Sequence, residues 1–126
     1  MKKTFISEQA KEFRTRYNLP NSTDRSTRSC QKNLIVEEFK EFLDAEGSLF
    51  RDHPDVQEEA LKELADLVYV CYQYAENMGW FLDEALYRVH KSNLSKLDEN
   101  GQPILREDGK VLKGPDYAPP DLSDLF

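Results

Sequence analysis

The 126-residue chain has only two cysteines, Cys30 and Cys71, and no CxxC or Cys/His spacing of the kind that builds a zinc site. A thiolate zinc centre is not indicated, and two buried free thiols in a reducing compartment are favoured over a disulfide. Long apolar runs are also missing. No stretch approaches the ~18 residues of a membrane span, and Met1-Lys2-Lys3-Thr4 leads into a mixed polar segment, unlike the apolar core of a signal peptide. A cytoplasmic location without a membrane partner is expected, in the host cytoplasm if a phage encodes the chain. Positive charge is scarce: 17 Lys and Arg face 24 Asp and Glu, a net charge of -7. That argues against direct nucleic-acid binding, which needs a basic footprint. A nucleotide can still bind through a metal ion, which reverses the local field. With 39% apolar residues and no internal repeat, the chain reads as an ordinary globular protein. Its length fits one domain, 1–126, with a modest core.

Helical periodicity dominates what is present. Ser7 caps an expected first helix running to about Tyr17, with Phe5, Phe13 and Tyr17 as apolar contacts, and Asn18-Leu19-Pro20-Asn21 ends it. The polar stretch from Asn21 to Ser29 reads as a loop. A second helix covers about Cys30 to Glu46, stopped by Gly47, with Leu34, Ile35, Phe39, Phe42 and Leu43 on its buried side. His53-Pro54-Asp55 opens a third, running to Met78 before Gly79. From Leu64 to Ala75 only Asp66 and Gln73 are clearly polar, so this helix needs cover on several sides, and a homodimer or homotetramer is expected. A fourth helix spans Leu82 to Leu97, with Ala85, Leu86, Val89 and Leu94 inward. Asn100-Gly101 and Asp108-Gly109 then predict a small hairpin, followed by an extended tail from Pro115. The expected fold is all-α, four to five helices, with the helical core at about 4–97 and the hairpin and tail at about 98–126.

Two acidic clusters carry the chemistry. Glu37-Glu38-Phe39-Lys40-Glu41 and Glu63-Leu64-Ala65-Asp66 each place two carboxylates three residues apart on one helical face, where like charges repel unless a cation lies between them. Asp66 also enters an apolar run, Leu67 to Tyr72, which points its carboxylate into or beside packed structure, where it needs a partner or a metal. If the two helices pack antiparallel, the clusters face each other across a divalent cation. Hard oxygen ligands suit Mg2+ or Mn2+. A di-iron site would carry Glu-x-x-His pairs, and neither His53 nor His90 has Glu at that spacing.

The run Glu37-Glu38-x-x-Glu41, a gap of twenty-one residues, then Glu63-x-x-Asp66, resembles the EExxE…ExxD signature of the MazG-like all-α nucleoside triphosphate pyrophosphohydrolases. That superfamily includes phosphoribosyl-ATP pyrophosphohydrolases and dimeric dUTPases. His90 to Lys96 strengthens the resemblance, and the tail Asp108 to Pro115 resembles small phage-type members, among which the MazZ group supplies dGMP. The resemblance implies a MazG-like helical bundle, a dimer or dimer of dimers, and Mg2+- or Mn2+-dependent cleavage of a (d)NTP to (d)NMP and pyrophosphate. It implies Glu38, Glu41, Glu63 and Asp66 as metal ligands, with Glu37 beside Glu38 handling the attacking water. It also implies Asn93 and Lys96 at the phosphates; Lys91, Lys32 and Arg28 are further candidates there. A dGTP or GTP preference follows from the phage-type likeness. The rival readings are a dUTP/dCTP pyrophosphatase, a phosphoribosyl-ATP pyrophosphohydrolase or, from another class, a non-catalytic acidic helical interaction protein.

Overall fold

A computed structural model describes residues 5–126. The readings drawn from Met1 to Thr4, including the core's start at about residue 4, lie outside the described residues. The described chain is all-helical: α1 (Ile6–Arg16), α2 (Arg25–Glu46), a 3-10 turn (Leu49–Arg51), α3 (Pro54–Met78) and α4 (Leu82–Leu94). It divides into two compact units, Met1–Trp80 and Phe81–Phe126.

In the first unit the helix ends follow local chemistry. The Phe5 backbone, not Ser7, forms the N-cap of α1, and its end is closed by Asn18 at φ 54, with Leu19 N–H donating to Arg14 O at 2.9 Å. Helix α2 begins five residues before the expected Cys30, because the Asp24 carboxylate accepts from Thr27 N–H at 2.8 Å and caps it. The segment from Arg25 to Ser29 is thus helix and not loop. Helix α3 starts where His53-Pro54 predicts, with His53 Nδ1 accepting from Asp55 N–H at 3.2 Å, and ends at Gly79 in the left-handed region at φ 73.

Helices α2 and α1 both pack against α3. Phe13 meets Tyr69 edge-on at 5.6 Å and Tyr17 at 4.6 Å. The Arg14 guanidinium, only 4% exposed, donates to Asn21 Oδ1 (2.6 Å), Gln73 Oε1 (3.4 Å), Pro20 O (3.0 Å) and Asn77 Oδ1 (3.2 Å). Asn77, 2% exposed, also accepts from Ser22 N–H and donates to Ser22 O. This polar knot ties the 18–22 connection to α3.

The apolar side of α2 is less covered than expected. None of its residues is fully buried, and Leu34, Val36, Phe39 and Leu43 stay exposed, as do Leu61, Leu64 and Val68 of α3. Cys30 is exposed rather than buried, and Cys71 is half-buried.

In the second unit α4 stops at Leu94, three residues before the expected Leu97, and Leu86 and Leu94 face outward instead of inward. The predicted hairpin is a tight turn with one antiparallel bridge, Leu105 to Val111, held by Arg106 N–H to Lys110 O at 2.8 Å; among the described residues no β-strand forms. The tail folds back on α4. Ser92 Oγ donates to Ala118 O at 2.8 Å, Arg88 pairs with Asp124 and Glu84, and Phe81 N–H donates to Leu125 O at 3.1 Å. Gly114 lies so close to α4's C-terminal extension that a Cβ there would sit 2.2 Å from Leu97 O. Among the described residues, no helix is long and apolar enough to cross a membrane.

Candidate active site

Glu63 of α3 sits beside Glu38 and Glu41 of α2, while Tyr74 lies beside the start of α2, so the two helices run antiparallel. That pairing brings Glu38, Glu41 and Glu63 together, each with a carboxylate oxygen within 4.8 Å of the others. Glu63 is 6% exposed, Glu38 half-buried and Glu41 exposed. Glu38, by hydrogen bonding and then by charge, pushes the Glu41 carboxyl up to about 7, with burial and Glu63 adding to the shift. Two oxygens, Glu38 Oε2 and Glu63 Oε2, are buried without a hydrogen-bond partner. An unpartnered buried carboxylate oxygen is costly, and a hard cation satisfies such oxygens directly. The donor set therefore fits a divalent metal ion.

Asp66 stands one turn along α3, outside this trio. Its carboxylate is only half-buried and accepts from Lys62 Nζ at 2.9 Å, while Lys62 also donates to Glu63 Oε1 at 3.2 Å. Asp66 and Glu63 together hold the ammonium charged, raising its pKa above the ordinary lysine value. A lysine ammonium already bridges Glu63 and Asp66, which shows the pair's affinity for positive charge. Glu63, not Asp66, is the deeply buried carboxylate. The apolar run after Asp66 pointed to the wrong residue because helical phase turns Glu63 toward α2.

Glu37 is exposed on α2 and outside the trio. Arg28 and Lys32 line a cavity of about 160 Å3 with Arg25, Ser29 and Tyr74. The residues Lys91, Asn93 and Lys96 belong to the second unit, where Lys91 Nζ lies 5.7 Å from the Tyr87 ring centroid. Lys62 went unassigned in the sequence reading, although its i,i+4 spacing to Asp66 signals the contact. Ser29, expected in a loop, is helical and joins the cavity lining.

A profile of the phosphoribosyl-ATP pyrophosphohydrolase family matches residues 2–93. The chain belongs to that family. Membership places this phosphoribosyl-ATP pyrophosphohydrolase family member among the pyrophosphohydrolase-type hydrolases of the MazG-like all-α superfamily, and its helical architecture agrees. The matched span includes all three clustered glutamates and α4 to Asn93. No curated protein matches the chain.

Proposed function

We propose that the protein is a divalent-metal-dependent pyrophosphohydrolase that cleaves a (d)NTP to (d)NMP and pyrophosphate, with a role in nucleotide-pool control. The observation that carries this reading is the trio Glu38, Glu41 and Glu63 with its two orphaned buried oxygens. These three residues would hold Mg2+ or Mn2+, with Asp66 joining once Lys62 releases it. When bound, such an ion supplies positive charge that offsets the charge developing on the phosphate oxygens. Glu38 and Glu63 are anchored on two packed helices, so their oxygens are fixed before substrate arrives. Glu37, exposed next to Glu38 in the chain, would orient or deprotonate the attacking water. Asn93, Lys96 and Lys91 are proposed to contact phosphates, as are Arg28 and Lys32.

The exposed apolar stripes Val36-Phe39-Leu43 and Leu61-Leu64-Val68 support a homodimer or homotetramer. Each stripe follows i, i+3, i+7 spacing along its helix. A guanine nucleotide, dGTP or GTP, is the first substrate to test, on the likeness to small phage-type members. The family match favours a second reading, phosphoribosyl-ATP as substrate. Metal titration of (d)NTP turnover tests the proposal. Activity should require Mg2+ or Mn2+ and fall about a hundredfold or more in Glu41→Gln, the loss typical of removing one electrostatic group from a site. Full activity of Glu41→Gln in the presence of chelator would reject it.

A further inference from the structure

The basic residues at the start of α2 close no ion pair among the described residues. Arg25, Arg28 and Lys32 stand at i, i+3 and i+7, and with Ser29 and Tyr74 they line one cavity that no carboxylate enters. Among the described residues none of the three closes an ion pair, although the chain carries a net charge of -7. Asp24, which feels Arg28 only weakly, accepts the capping bond from Thr27 N–H and does not line the cavity. Three like charges gathered on one face are unfavourable without an anion between them. The N-terminal end of the α2 dipole adds to the same field.

The cavity's size narrows the ligand. At about 160 Å3 it is smaller than the ~300–1,000 Å3 that encloses a drug-sized molecule. It takes an anionic group, not a whole nucleotide. Its position sets it along α2 from the carboxylate trio: Lys32 precedes Glu38 by six residues and Arg28 by ten, ~9 and ~15 Å of helix rise.

We infer that this cavity is a phosphate-binding site distinct from the carboxylate trio, built by Arg25, Arg28 and Lys32 for the dianionic oxygens of a phosphate or pyrophosphate group. Two guanidinium forks match those oxygens in geometry as well as charge. The group arrives either as a free anion, such as released pyrophosphate, or as a phosphate at the far end of a bound substrate; the second source rests on the proposed function.

The test is calorimetric titration of the full chain with sodium pyrophosphate and with inorganic phosphate, in chelator so that no divalent metal contributes. Saturable binding is expected in the wild type. It should weaken at least tenfold in Arg25→Gln/Arg28→Gln and also in Lys32→Gln, with helicity by circular dichroism unchanged. Glu63→Gln should bind as the wild type does. Absence of saturable binding in the wild type, or equal affinity in all folded variants, would overturn the inference. Steady-state kinetics separate the sources. A substrate-borne phosphate predicts a raised KM in Arg28→Gln and competitive inhibition by pyrophosphate; a free anion predicts inhibition that is not competitive. Because binding is read without turnover, an inactive protein that still binds pyrophosphate through these residues would sink the proposed function and keep this site. An active protein without such binding would do the reverse.

Discussion

Replacing Glu63 by Gln should move stability in opposite directions with and without metal. The substitution keeps shape and removes one buried charge. Glu38 and Glu63 have oxygens within 4.8 Å, a separation at which two unit charges repel by about 0.9 kcal/mol in water and about 3.5 kcal/mol at an effective dielectric of 20. The offsetting attraction is the ion pair with Lys62, a side chain 62% exposed, and such a pair contributes about 0–1 kcal/mol. A Gln amide also offers a donor to the orphaned Glu38 oxygen. The metal-free variant should therefore be more stable than the wild type by about 1–2 kcal/mol, a rise in Tm of roughly 4–8 °C. In Mg2+ at a hundred times Kd the wild type should gain about 2.7 kcal/mol, and the variant little or nothing. The two melting curves then cross in rank between chelator and Mg2+. Thermal denaturation under both conditions is the assay. A variant less stable in chelator, with the same Mg2+ shift as the wild type, would refute the cation-site reasoning.

The raised Glu41 carboxyl gives a pH signature. Its folded value of about 7 lies above the ordinary 4.5, so the stability from its bound proton is present below about pH 4.5 and is lost as pH rises through about 7. Metal-free melts should show that decline, Mg2+ should lessen it, and Mg2+ uptake at pH 6 should release protons. Asn77→Ala removes the acceptor shared by Arg14 and Ser22 N–H and the donor to Ser22 O. It should cost about 2–3 kcal/mol and speed hydrogen exchange at Leu19 and Ser22. Gly114→Ala drives a Cβ into Leu97 O and Lys96 O. A cost of about 1–3 kcal/mol should appear as faster proteolysis of the tail, and unchanged digestion would contradict the close approach.

Helix ends with strong local chemistry were readable from sequence: His53-Pro54 opens α3 and Gly79 closes it. The start of α2 was not, because Asp24 caps a polar turn, Arg25-Ser26-Thr27-Arg28, that shows no apolar period. The two acidic clusters were visible as spacing, but their depth was not. Glu63 is buried and Asp66 half-exposed because α2 meets one face of α3, a fact set by packing. Arg14 gave no sign of burial in α1; its solvation is replaced by nearby Asn21 and by Gln73 and Asn77, which lie far along the chain. Of the residues expected to bury α2, Leu34, Phe39 and Leu43 remain exposed, which no spacing in the sequence signals.

The most direct test of the proposed function is 31P NMR of the products formed from each of the eight (d)NTPs, with Mg2+ and with chelator. The account predicts monophosphate and pyrophosphate, appearing only with the divalent ion and lost in Glu63→Gln. Diphosphate and inorganic phosphate as products, or turnover that persists in chelator, would contradict it.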